Sequence, residues 1–160
     1  MGFRDWALKN LITADAVYGL ILYSALIAAV SDDDSDALEV LFFSGFTLII
    51  FWAAHVFAGT VAGHGGEVQL RTAMWKSFGH SSGMLYASIL PSIPLVLAAF
   101  HVLTTDDSVA IALLIATLLL GVLGYKAFAS RKSPVVVRIL GGVGTALFGF
   151  FIILLNIIVH

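Results

Sequence analysis

An all-α, polytopic membrane bundle is the fold class this sequence predicts, and three observations predict it. Hydrophobic residues make up 60% of the 160-residue chain and charged residues only 11%. Five apolar stretches are each long enough to cross a bilayer as a helix, which takes about 20 residues for a hydrocarbon core about 30 Å thick. All eight Lys and Arg residues fall on one side of the topology those stretches define. The mean hydropathy of +1.03 lies far above that of a soluble domain. Period-two alternation of a membrane β-barrel is absent from the sequence, so helices are the structures that satisfy the backbone in lipid. There is no cysteine, which excludes disulfides and thiol chemistry.

The first expected span, 11–30, follows MGFRDWALKN, whose Phe3 and Trp6 beside charges suit an interfacial collar. Basic Arg4 and Lys9 ahead of an apolar run give it the outline of a signal peptide, but it is read here as a retained span. The second span, 40–62, carries a histidine within IIFWAAHVFAG. Next, 66–79 places Leu70, Met74 and Phe78 on one helical face, which predicts a short amphipathic helix lying on the membrane surface. The third span, 82–103, contains Pro91 and Pro94, each removing a backbone donor, so a kink is expected near its middle. The fourth is 108–128. The fifth, 135–159, carries Gly141, Thr145 and Gly149 at intervals of four, a small-residue stripe that admits another helix closely, within or between protomers. One bundle, 1–160, accounts for the chain.

Arg4 and Lys9 precede the first span, Arg71 and Lys76 lie between the second and third, and Lys126, Arg131, Lys132 and Arg138 surround the last junction. The other loops, SDDDSDALE and TTDD, contain no basic residue. The positive-inside rule therefore predicts a cytoplasmic N-terminus, an external C-terminus and a place in the bacterial plasma membrane.

Ionisable groups inside a bilayer cost several kcal/mol unless paired or wet, which makes them the first functional candidates. Two stand out: Asp15, about one turn into the first span, and His55, in the second. Both belong to the inner half of the bilayer and are placed to meet, with Lys9 at the interface nearby. A helix-start carboxylate favoured by the macrodipole and an interhelical histidine hydrogen bond are their structural readings.

KNLITADAVYGLIL resembles the first transmembrane helix of the bacterial and lysosomal potassium channels marked by an R-x-x-x-F-S-D signature. Lys9 stands at the Arg position and Thr13-Ala14-Asp15 at F-S-D, while Ser44, Trp52 and His55 reproduce the spacing S-x7-W-x2-H of that family's second helix. The resemblance covers residues 9–57. This chain departs from the family in Thr13, Ala14 and Lys9 and in having five expected spans where the channels have six. FWAAHVFA is also similar to a motif of small multi-span proteins of high-GC Gram-positive bacteria.

The channel resemblance implies a homotetramer conducting monovalent cations, potassium above all, through a pore lined by the first helix. Leu20 takes the constriction position, Ser24 lies a turn further along, and Gly19 and Tyr23 flank them. A leucine ring gates by dewetting and favours the more easily dehydrated cation. Lys9, Asp15, Trp52 and His55 would form the clasp that fixes the pore helix. The external run Asp32, Asp33, Asp34 and Asp36 would then concentrate cations at the mouth, though such a run is also an ordinary solvated turn.

Two alternatives to a channel are a non-conducting accessory subunit, packing on a larger complex through the Gly141/Thr145/Gly149 face, and a small proton-coupled transporter that titrates Asp15 or His55. No phosphate loop, nucleophile elbow, His-Glu helix motif or catalytic carboxylate pair points to an enzyme. No metal or other cofactor is expected. His55 is placed too far from the outer-end His101 and His160 for bis-histidine haem, whereas those two are near enough to each other to hold a metal or quinone. His64 and His80 are assigned to the cytoplasmic loop, without a role. Nucleic-acid binding is not expected, since the basic residues are accounted for by orientation. The surrounding partner is the lipid bilayer.

Overall fold

In the computed structural model, residues 13–32, 35–65, 68–131 and 133–159 are described. They form five helices: α1 (Ala14–Val30), α2 (Ala37–Gly63), α3 (Leu70–Ala99), α4 (Thr105–Ser130) and α5 (Val135–Val159). Among the described residues there is no strand, only an isolated bridge between Gly65 and Val68 in the α2–α3 turn. Helices α2 to α5 are each long and apolar enough to cross a membrane, and α1 is a shorter apolar helix of 17 residues.

Local chemistry sets the helix ends. Thr13, in extended backbone, caps α1 by accepting the Ala16 N–H at 3.1 Å, and Asp15 adds a carboxylate to the first turn. Thr104 accepts the Asp107 N–H at 3.2 Å while its hydroxyl donates to the Asp107 carboxylate at 2.8 Å, so α4 starts on a reciprocal cap. Helix α3 ends where the Val102 N–H bonds the Leu97 carbonyl at 3.0 Å and the His101 N–H bonds that of Ala98 at 2.8 Å. This wrap needs a left-handed residue, and His101 supplies it with a φ of 59°.

The expected separate surface helix at 66–79 is corrected: from Leu70 onward that segment is the opening of α3, which continues as one helix of 30 residues through both prolines. The reason is packing. Ala73, Ser81, Met84, Ser88, Pro91, Leu95 and Ala98 are buried along a single stripe that passes without interruption through the expected boundary at 80–82. Gly79 costs about 1 kcal/mol of helix propensity, too little to break a helix packed on both sides of it.

Polarity is inverted relative to a water-soluble protein. Large apolar side chains such as Phe42, Phe46, Phe57, Ile157 and Ile158 point outward, while Asp15, Ser24, Ser44, Ser81, Ser88 and Ser108 are buried. An outward apolar surface of that extent is stable against lipid and not against water, and small hydroxyl residues between helices are what membrane packing favours. The chain is therefore a membrane protein.

Helix α1 contacts all four other helices and is the centre of the bundle. Its close approach to α3 depends on Gly19, where a Cβ would lie 2.6 Å from the Met84 Cα. The most extensive pairing is α4 against α5. There the expected small-residue stripe is used inside the protomer: Gly141 packs under Phe128, Gly149 against Thr117, and the Thr145 hydroxyl donates to the Leu120 carbonyl at 2.7 Å.

Candidate functional site: a buried carboxylate between two histidines

Because α1 is central, its first turn carries Asp15 directly into the bundle, where the residue is 7% exposed. Helix α2 runs antiparallel beside it and delivers His55, whose Nε2 lies 3.4 Å from Asp15 Oδ1. The second histidine comes from α3. His80 Nε2 lies 3.7 Å from Asp15 Oδ2, so the carboxylate sits between two imidazoles from two other helices. His80 is assigned to a loop in the sequence reading, and that placement is corrected here, because the unbroken α3 brings it to the carboxylate. The signal was present in the residues. Lys76 and His80 are four apart, hence on one face, and the stripe Ala73, Ser77, Ser81, Met84 continues a helical period past Gly79.

The three groups differ in access. Asp15 Oδ2 is buried and accepts no hydrogen bond from the described residues. The His55 and His80 side chains are 47% and 71% exposed. Tyr18, one turn along α1 from Asp15, stacks on the His55 ring at a centroid distance of 5.9 Å and 25°. Trp52, one turn before His55, meets Phe78 edge-on at 5.0 Å, and its indole N–H is buried without a hydrogen-bond partner among the described residues. Lys9, the remaining member of the expected clasp, lies outside the described residues.

His55 and His80 open onto a groove of about 510 Å3 between the end of α2 and the start of α3. Asp15 is therefore screened from the groove by rings that themselves reach it. An imidazole has two nitrogens, so a ring with Nε2 toward the carboxylate keeps Nδ1 for water or a second partner and can carry a proton between them.

The four residues expected to line a pore all face inward. Leu20 is 0% exposed and packs with Ala16, Ala87, Ala116, Leu120 and Leu123. Gly19 touches Met84. The Ser24 hydroxyl donates to the Leu20 carbonyl at 2.7 Å, and the Tyr23 hydroxyl meets that of Ser92 at 2.7 Å. A side chain enclosed by its own protomer does not face a lumen shared between copies. The outward residues of α1 are Ala14, Tyr18, Ala25 and Ala29.

At the opposite end, the Asp32 N–H donates to Ser35 Oγ at 2.6 Å, and Asp36 is the N-cap residue of α2 without a side-chain cap bond. Asp33 and Asp34 lie outside the described residues. His101 is exposed in the turn that ends α3, and His160 also lies outside the described residues. Among the described residues, no group of three histidine or acidic side chains could hold a metal ion. Neither a protein-family model, nor a curated protein, nor a solved structure matches the chain.

Proposed function

We propose that this chain is a small proton-coupled membrane transporter in which Asp15 takes up and releases the coupling proton and His55 and His80 pass it to and from the groove. One observation carries the reading: a buried carboxylate in the first turn of the central helix whose two oxygens face two imidazoles, both open to the same groove. A carboxylate in such a place costs several kcal/mol as an ion, and a purely structural link would satisfy both of its oxygens with hydrogen bonds. Oδ2 has none from the described residues. Further along the bundle, about 12 Å from Asp15 at 1.5 Å per residue, the hydroxyls of Tyr23 and Ser92 form the next polar point. Apolar Leu20 lies between. A site wet on one side and closed on the other is what a carrier needs if a conformational change is to switch its access.

The readings set beside it have less support. A channel lined by α1 requires Leu20 and Ser24 to face a lumen, whereas both are packed inside the protomer. An accessory subunit docking through Gly141, Thr145 and Gly149 requires a face that α4 already covers.

The test is proton entry into liposomes holding the purified protein, driven by an imposed membrane potential and read by an internal pH dye. Entry in the wild type that falls at least about a hundredfold in Asp15→Asn, the loss typical when a positioned acid–base group is removed, supports the reading. Equal rates in the two proteins, or no entry in a folded wild type, overturn it.

A further inference from the structure

The groove beside the histidines has a chemical character that proton transfer does not use. Its floor is formed by small residues of α2: Ala58, Ala62 and Gly63 line it, and Gly59 brings the α2 backbone against α3, where a Cβ would lie 2.9 Å from the Ser77 Oγ. Its opposite wall is α3, where Thr72, Lys76 and His80 stand one turn apart, with Ser77 on the adjoining row. The groove thus gathers one ammonium, two imidazoles and hydroxyl donors, and no carboxylate is among the described residues lining it. Its volume of about 510 Å3 lies within the range of small-ligand sites, about 300–1,000 Å3.

We infer that this groove binds a phosphate group, held by Lys76 with donors from Thr72, Ser77 and the two histidines. A lysine acts there as a point charge on a flexible stem, and hydroxyl and imidazole N–H groups supply directed donors to the phosphate oxygens. The surroundings suit a phospholipid headgroup in particular. Leu70, Met74, Trp75 and Phe78 stand exposed on α3 at the same level, forming an apolar skirt beside the basic groove, and basic pockets between membrane helices are a recurrent headgroup site. A soluble phosphate ester presents the same chemistry. The inference shares His55 and His80 with the proton reading, but its test reads phosphate binding and not proton entry, so the two can fail separately.

The experiment places the full chain in nanodiscs of zwitterionic lipid, with or without phosphatidylglycerol, and compares wild type with Lys76→Gln and Ala62→Phe. Lys76 and Ala62 are both exposed, so neither change disturbs the core, and the second fills the groove without altering charge. Native mass spectrometry counts the phosphatidylglycerol that leaves the disc with the protein. In parallel, glycerol phosphate is titrated into the zwitterionic discs while tryptophan fluorescence is read. Phosphatidylglycerol retained by wild type and reduced at least fivefold in both variants supports a headgroup site. Saturable glycerol phosphate binding lost in both variants, without lipid retention, supports a site for a soluble phosphate ester. No retention and no saturation, or equal binding in all three proteins, overturns the inference.

Discussion

Replacing Leu20 with alanine separates two accounts of α1. Leu20 is fully enclosed, and the change empties part of the contact made by α1, α3 and α4 around Ala16, Ala87, Ala116, Leu120 and Leu123. In water the cost would include both the lost transfer free energy of the side chain and the cavity left behind. In a bilayer the transfer part lapses, since lipid tails are as apolar as leucine, and the cavity remains. Truncation removes about 80 Å3, which at about 24 cal/mol per Å3 gives about 2 kcal/mol. Reversible unfolding in mixed micelles, followed by tryptophan fluorescence, should show that loss, with cation flux in liposomes unchanged. A variant of wild-type stability that leaks potassium or sodium would refute the reasoning and put Leu20 at a lumen.

Three further substitutions test the same packing and the same site. Gly19→Ala places a methyl group 2.6 Å from the Met84 Cα, a backbone atom that no rotamer change moves. The α1–α3 crossing must open, at about 1–3 kcal/mol, and unchanged stability in mixed micelles would show that the helices are not so close. Thr145→Val removes the hydroxyl bonded to the Leu120 carbonyl; a loss of about 0.6 to 1.7 kcal/mol is expected, and none at all would mean that this hydrogen bond adds nothing to the α4–α5 contact. His80→Gln changes a mostly exposed side chain, so the protein should unfold as wild type does while proton entry slows severalfold, and an undiminished rate would remove His80 from the relay.

Much of the bundle was legible in the residues because its determinants are local and additive. Apolar length alone marks the cores of α2, α4 and α5, and cap residues such as Thr104 are visible as single letters. Asp15 and His55 could be paired from sequence since each is an ionisable group in an apolar run, and matching depth on antiparallel helices brings them together. His80 was not legible in the same way. Its neighbourhood, KSFGHSSG, is polar enough to look like a loop, and the stripe that keeps it helical is made of alanine and serine, which hydropathy undervalues. The orientation of α1 was hidden for a different reason. A face of Gly19, Leu20, Tyr23 and Ser24 serves equally well toward a lumen and toward neighbouring helices, because both demand small residues, a bulky aliphatic group and a hydroxyl. Within the protomer that face is covered by α3 and α4, whose Met84 meets Gly19 and whose Leu120 shares a cluster with Leu20.

The central claim is that Asp15 exchanges a proton with the groove, and infrared difference spectroscopy of the protein in lipid films measures that exchange directly. As the pH is lowered, the wild type should gain a carboxylic acid carbonyl band that Asp15→Asn lacks. Identical difference spectra for wild type and Asp15→Asn would show that Asp15 keeps one protonation state throughout, and would contradict the account.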